Sequence, residues 1–194
     1  MKRRKMKVRA AIILIAMAGL LIAMGTAIAE PMTGEGGETQ SLIIIGCALS
    51  MGIAGIGSAM GLMLAGSSAV AVTAEKPDLF GKCLVLQVLP MTQAVYGLLT
   101  AILLMMGAGL LGGGGGANLS NPMLGLSAIG IGLVVGLTGI SAANQGQVAS
   151  SSIAATARNP DVFARGIIYT IMPETIAIFG LLVGILLMTG LGLL

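Results

Sequence analysis

The chain has 194 residues, of which 56% are hydrophobic and only 9% are charged. A soluble domain carries roughly a quarter charged residues, so this composition excludes a soluble globule. With no His and only two Cys, the chain has too few ligands for a zinc, haem or iron–sulfur site and no imidazole for a catalytic triad. Aromatic residues make up 3% and Trp is absent, so platforms for stacking nucleobases are lacking and no nucleic-acid partner is expected.

Charged residues divide the chain into five apolar stretches, each long enough to supply the ~20 residues that a membrane helix needs. We therefore expect an all-α, multi-pass protein of the cell membrane. The stretches cover roughly 10–29, 41–74, 83–111, 123–157 and 166–194.

The first apolar stretch has the features of a secretory signal. It follows six basic residues and ends in Ala27-Ile28-Ala29 before Glu30, which is the order of a basic n-region, an apolar h-region and a small-residue cleavage site. We expect residues 1–29 to be a signal peptide that is cleaved after Ala29. The alternative is that they remain as an extra membrane helix. In both cases the polar, acidic segment 30–41 lies outside.

The remaining basic residues indicate the orientation in the membrane. They occur only in segments 75–82 and 158–165, whereas the glycine-rich loop 112–122 has no charge. Basic segments stay on the cytoplasmic side, so the two charged segments are predicted to be cytoplasmic and the loop external. Residues 42–111 and 123–194 then form two helical hairpins with cytoplasmic tips.

The two hairpins are copies of each other. Pro90 opens Pro-Met-Thr-Gln-Ala-Val-Tyr-Gly-Leu-Leu and Pro173 opens Pro-Glu-Thr-Ile-Ala-Ile-Phe-Gly-Leu-Leu, an offset of 83 residues. Because both tips are predicted on one side, this is a parallel repeat about an axis along the membrane normal. The same offset carries Pro77-Asp78 onto Pro160-Asp161 and Ser67-Ser68 onto Ser150-Ser151.

The first helix of each hairpin is rich in small residues. Spacings such as Gly57-x-x-x-Gly61 and Gly132-x-x-x-Gly136 allow helix backbones to approach closely in lipid. A nucleotide-binding glycine loop is the alternative, but neither run follows a strand and the Lys-Ser/Thr of a P-loop is absent. We interpret both runs as helix-packing surfaces.

Glu174 is the one acidic residue inside an apolar helix, since the other six belong to polar segments. Counted from Arg165, it lies about 13.5 Å along the helix axis, near the middle of the bilayer. A carboxylate there is expensive and functional by default. The alternative is a protonated acid that only links helices. The first hairpin has Met91 at the matching position.

Polar residues accompany Glu174 at a similar depth. Thr92 and Gln93 lie about 15–16.5 Å along the helix from Lys82, and Gln145 reaches a comparable level on the third helix. Pro90 lacks an N–H and interrupts the helical ladder, which can expose a main-chain carbonyl as a further ligand. Singly, each polar side chain could be an interhelical contact; together with Glu174 they favour a cation site.

These features resemble the proteolipid (K, or c) subunit of archaeal A-type and vacuolar-type rotary ATPases. The resemblance covers about 42–194, and it includes the absence of an acid from the first hairpin. The motifs that carry it are Glu75-Lys76-Pro77-Asp78, Arg158-Asn159-Pro160-Asp161, Leu89-Pro90-Met91-Thr92-Gln93, Gln145-Gly146-Gln147-Val148 and Pro173-Glu174-Thr175.

The resemblance implies a fold, a site and partners. The two tandem hairpins would assemble with identical subunits into a rotor ring in the lipid bilayer. The ring would meet a stator membrane subunit that carries an Arg, and central-stalk subunits would bind the cytoplasmic loops. The matching ion ligands are the Leu89 carbonyl, Thr92, Gln93, Gln145 and Glu174, with Tyr96 donating a hydrogen bond to the carboxylate; the break at Pro90 supports the same site.

The function that follows is ion translocation without covalent chemistry in this chain. Each chain would bind one Na⁺ or H⁺ at Glu174 and carry it by ring rotation between two half-channels. We expect Na⁺, because a hard cation needs several oxygen ligands to replace its water. ATP chemistry would belong to partner subunits, and no cofactor beyond the coupling ion is expected. The alternatives are a stand-alone transporter or channel that uses Glu174, and a structural membrane oligomer.

Overall fold

The computed structural model describes residues 37–111 and 119–194. This part of the chain consists of α-helices, short 3₁₀ helices and turns, without a strand. The predicted signal peptide 1–29, most of the polar segment 30–41 and most of the glycine-rich loop 112–122 lie outside the described residues.

Four helices of the described part are long and apolar enough to cross a membrane. They pair as two consecutive hairpins, which is the predicted architecture. We call them the first, second, third and fourth spans, and their bounds are Gly37–Glu75, Pro77–Gly107, Pro122–Arg158 and Pro160–Gly190.

The first span is one continuous α-helix, whereas the other three are interrupted near the middle. The third span breaks at Ile140 into Pro122–Gly139 and Ser141–Arg158. The second and fourth spans break at their prolines. Their segments are Pro77–Leu79 (3₁₀), Phe80–Val88, Leu89–Met91 (3₁₀) and Thr92–Gly107 in the second span, and Pro160–Val162 (3₁₀), Phe163–Ile171 and Glu174–Gly190 in the fourth.

The first span begins earlier than the sequence pattern predicts. It starts at Gly37, so the end of the predicted polar segment is helical. Glu38 lies in the first turn, where a negative charge complements the helix dipole. Thr39 is 2% exposed, and its hydroxyl lies 3.5 Å from the Asn121 carbonyl oxygen at the start of the third span. This tertiary contact extends the helix beyond the apolar stretch.

The first span packs against the second and third spans, and the fourth span packs against the third and the second. Glycines bring the first and third spans together: a Cβ at Gly61 would collide with the Ala142 carbonyl, and one at Gly146 would collide with the Gly61 backbone. The prediction that small residues allow close helix approach is thus confirmed for this pair of spans.

The repeat is visible in fine structural detail. The second and fourth spans are both followed by a glycine with positive φ, Gly109 at 71° and Gly192 at 70°, which are 83 residues apart. After each glycine the next amide donates a 2.9 Å hydrogen bond back to the helix, from Leu110 to Met105 and from Leu193 to Met188. The same helix-ending turn is therefore built twice.

The two hairpin tips lie at the same end of the molecule, which we call the tip end. The Lys76 ammonium donates to the Ala157 carbonyl at the end of the third span. Lys82 Nζ lies 5.7 Å from the centre of the Phe163 ring, within the range of a cation–π contact. The parallel orientation of the two copies, predicted from the charge pattern, agrees with this arrangement.

Candidate functional site

The proline break of the second span shapes one wall of the site. Pro90 cannot donate a main-chain hydrogen bond, and the chain forms a short 3₁₀ turn over Leu89–Met91 before the helix resumes at Thr92. The Ala94 amide, one turn after Pro90, donates a 3.0 Å hydrogen bond to Ser58 Oγ of the first span. Ser58 therefore ties the resumed helix to its neighbour.

The proline break of the fourth span positions the carboxylate. The α-helix pauses at Met172 and Pro173, and Glu174 is the first residue of the segment that follows. A helix N-terminus is a favourable place for an anion. The serine that corresponds to Ser58 by the repeat is Ser141, and among the described residues its buried hydroxyl has no hydrogen-bond partner.

The Glu174 carboxylate is buried, with 8% of the residue exposed. Tyr96 of the second span donates a 2.8 Å hydrogen bond to Oε1, and Gln145 of the third span donates a 3.1 Å hydrogen bond to Oε2. Both donors are neutral, so neither would neutralise the charge of an ionised carboxylate. Each carboxylate oxygen also retains a lone pair that a further donor or a cation can use.

A chain of amide and hydroxyl groups continues from the carboxylate. Gln93 Nε2 donates to Gln145 Oε1 at 2.6 Å, and both glutamines are fully buried. The Thr92 hydroxyl lies 3.1 Å from Gln93 Oε1 and 3.0 Å from the Leu89 carbonyl oxygen. The second, third and fourth spans thus each contribute polar groups to one continuous network.

This network has more oxygen lone pairs than protons to satisfy them. The Thr92 hydroxyl has one proton, but two acceptor oxygens lie within hydrogen-bond distance of it. The Leu89 carbonyl also accepts a hydrogen bond from the Thr92 main-chain N–H, so the hydroxyl proton can serve Gln93 Oε1, and the lone pairs that remain on these oxygens are open to a cation. The described residues contain no group of three or more His, Cys, Asp or Glu that could hold a metal, so a cation here would meet one carboxylate and several neutral oxygens.

The structure brings together all the residues that the sequence singled out. Counting helical rise placed Thr92, Gln93 and Gln145 at the depth of Glu174. The missing N–H singled out Pro90, and the resemblance added Leu89 and Tyr96. Sequence reasoning missed Ser58. Its only sequence signal is a hydroxyl inside a glycine-rich run, which does not indicate its partner.

Comparison with known proteins shows the family. The family of the ATP synthase C subunit matches the chain twice, over residues 45–104 and 129–187. The chain belongs to this family. It is a multi-pass membrane protein in which the hairpin of the C-subunit family is duplicated, as the repeat and the four spans also indicate.

Similar proteins come from archaea, bacteria and animals. The K subunit of the A-type ATP synthase of Methanocaldococcus jannaschii is 46% identical over 140 residues, which cover 72% of this chain and 60% of the relative. The K subunit of the V-type sodium ATPase of Enterococcus hirae is 36% identical over 80% of this chain and 94% of its own length. The 16 kDa proteolipid c subunit of the V-type proton ATPase of Nephrops norvegicus is 31% identical over 81% and 98%.

Proposed function

We propose that this member of the C-subunit family is the ion-translocating rotor subunit of an A-type or V-type ATPase. The observation that carries the proposal is the buried Glu174 carboxylate. Within the described residues it receives hydrogen bonds from two neutral groups, Tyr96 and Gln145, and it adjoins a cluster of neutral oxygens. The names of the relatives place them in such ATPases. Identical copies would form the rotor ring in the bilayer.

The mechanism follows from the cost of charge in lipid. An ionised Glu174 without a bound cation cannot readily face hydrocarbon, whereas a bound Na⁺ or proton neutralises it. Only loaded sites therefore rotate through the lipid. At the stator, an Arg of the partner subunit would pair with the emptied carboxylate while the ion is exchanged through a half-channel. The hairpin tips, with exposed Lys76 and Asp161, are the surface proposed for the central stalk.

We propose Na⁺ as the coupling ion. A proton needs only the carboxylate, whereas a hard cation needs several oxygens to replace its water. The neighbouring oxygens of Leu89, Thr92, Gln93 and Gln145 meet this need, and one carboxylate among neutral ligands balances a single positive charge. The names of relatives include both a sodium and a proton ATPase, so the ligand set is the argument for Na⁺.

One site for every four helices sets the coupling ratio. Each elementary charge that crosses 100 mV contributes about 2.3 kcal/mol. In a ring with a given number of hairpins, one site for every two hairpins moves half as many charges per turn as one site for every hairpin. ATP hydrolysis in partner subunits can then move ions against a larger membrane potential.

Carbodiimide labelling tests the site and the ion together. A hydrophobic carbodiimide should label Glu174 selectively in membranes that contain the assembled complex. At fixed neutral or alkaline pH, millimolar Na⁺ should slow this labelling and K⁺ should not, because a bound Na⁺ keeps the carboxylate ionised and shielded. If proton concentration alone controls the labelling rate, the coupling ion is H⁺ and the Na⁺ assignment is wrong.

A substitution tests the rotor role. Glu174→Gln is nearly isosteric, so it should permit ring assembly and abolish coupled ion transport. Glu38→Gln, which is exposed in the first turn of the first span and far from the hairpin tips, is the matched control and should leave transport intact. Full ion pumping by the Glu174→Gln complex would contradict the assigned role. Transport by the isolated subunit without partner proteins would instead favour a stand-alone transporter.

A further inference from the structure

The repeat makes it possible to infer how one copy of the chain meets the next. Within a copy, the first hairpin contacts the second in a defined register, and the two hairpins are related by an offset of 83 residues. If the rotation that relates the two hairpins of one copy also relates neighbouring copies in the ring, the second hairpin meets the first hairpin of the next copy in the same register. Each contact between hairpins within a copy then specifies one between copies. This step rests on the ring proposed above.

A pair of hydroxyls gives the register. Ser68 Oγ of the first span lies 2.7 Å from Ser150 Oγ of the third span in a hydrogen bond. Adding 83 to Ser68 gives Ser151, and subtracting 83 from Ser150 gives Ser67. Both of these serines are exposed in the single chain. We propose that Ser151 of one copy pairs with Ser67 of the next copy, which makes the contact between copies heterologous.

The same register identifies the residues that occupy the position of the ion site between copies. The Tyr96–Glu174 contact within a copy maps onto Phe179 of one copy and Met91 of the next, and the Gln93–Gln145 contact maps onto Ile176 and Leu62. The polar network is thus replaced by apolar side chains. In the single chain Phe179 is 61% exposed, Ile176 52% and Met91 50%. These side chains cover each other when the next copy packs there, and this boundary binds no ion.

The spacing of the two boundaries differs. Within a copy, Gly61 and Gly146 meet with their backbones in contact. The corresponding positions between copies are Asn144 and Met63. Asn144 is exposed at membrane depth, where a polar side chain facing lipid is unfavourable, and Met63 is 64% exposed. The neighbouring copy covers both, and at this level their larger side chains hold the first and third spans further apart than the glycines do.

Disulfide cross-linking tests the pairing. Ser67→Cys and Ser151→Cys are combined in a chain that carries Cys47→Ala and Cys83→Ala, and the purified complex is oxidised. Hydroxyls at hydrogen-bond distance place the two Cβ atoms within reach of a disulfide. Oxidation should convert most chains into a ladder of covalent multimers on a denaturing gel. Ser68→Cys with Ser150→Cys should instead cross-link within the chain and give no ladder.

Further variants distinguish the register from other arrangements. Ser67→Cys combined with Gln147→Cys, one helical turn from Ser151 on the same exposed face, should cross-link several-fold less than the proposed pair. Neither Ser67→Cys alone nor Ser151→Cys alone should form dimers. A two-fold contact would bring the same residue of two copies together, so a single cysteine would then be enough. Native mass spectrometry shows whether the ring is intact. If it is intact and the Ser67–Ser151 pair gives no ladder, or a weaker one than Ser67 with Gln147, the proposed pairing is wrong. Absence of a ring in the unsubstituted protein overturns the proposed function itself.

Discussion

The Tyr96 hydroxyl and the Glu174 carboxylate belong to different hairpins, and they meet in a 2.8 Å hydrogen bond. The bond joins the two hairpins of the repeat. Phe179 corresponds to Tyr96 and Met91 to Glu174 by the 83-residue offset, and these two side chains cannot make such a bond. Tyr96 therefore orients the carboxylate and at the same time ties the second span to the fourth.

Removing this hydroxyl should weaken ion binding. Tyr96→Phe retains the ring and loses the donor; a hydrogen bond to a charged group contributes about 1.5–3 kcal/mol. The Na⁺ concentration that half-protects Glu174 from carbodiimide should rise by roughly 10- to 100-fold, since about 1.4 kcal/mol corresponds to tenfold. Tyr169→Phe is the control because Tyr169 is 65% exposed and should leave the midpoint unchanged. If both variants need the same Na⁺ concentration for half-protection of Glu174, the role of Tyr96 is contradicted.

The two buried glutamines should differ in importance. Gln145 both accepts from Gln93 and donates to Glu174, whereas Gln93 contacts Gln145 and Thr92. Gln93→Leu and Gln145→Leu should each weaken protection by Na⁺, and Gln145→Leu should do so more. Gln87→Leu, which alters a partly buried glutamine at the edge of a separate cavity, should have no effect. Unchanged Na⁺ protection in both site variants would show that these amides are interhelical contacts only.

The glycine contact between the first and third spans should be sensitive to a single methyl group. In Gly61→Ala the new Cβ would meet the Ala142 carbonyl and Pro90, and overpacking of this kind costs about 1–3 kcal/mol. The thermal unfolding midpoint of the purified complex in detergent should fall. Gly81→Ala is the control, since its Cβ would meet no atom within 4 Å and the corresponding residue of the second hairpin is already Ala164. An unchanged midpoint for Gly61→Ala would mean that the two helices can separate without loss of stability.

The N-terminal segment gives a prediction that depends on the sequence alone. Residues 1–29 have the order of a secretory signal, so protein purified from the membrane should begin at Glu30. Intact-mass measurement or N-terminal sequencing decides this directly. A mass that includes residues 1–29 would identify them as a retained segment.

The fold and the composition of the site follow largely from local sequence features. Membrane span lengths and the 83-residue repeat predict the four spans, and Pro90 predicts the break in the second. The fixed rise of a helix places Gln145 at the depth of Glu174. In contrast, the start of the first span at Gly37 depends on burial of Thr39 against the third span. The bond from Ala94 to Ser58 likewise joins residues far apart in sequence, and neither has a local signal.

The unequal anchoring of the two proline breaks has a mechanical consequence. At the second-span break, a change in the angle between helical segments would separate the Ala94 amide from Ser58, and an unpaired buried donor costs about 1–3 kcal/mol. At the fourth-span break, Ser141 makes no corresponding bond to any described residue. The helix that carries Glu174 therefore lacks this particular tie to a neighbouring span at its break. In the proposed rotor, the carboxylate would swing at each ion exchange while Thr92 and Gln93, on the helix tied through Ser58, would keep the shape of the pocket it returns to.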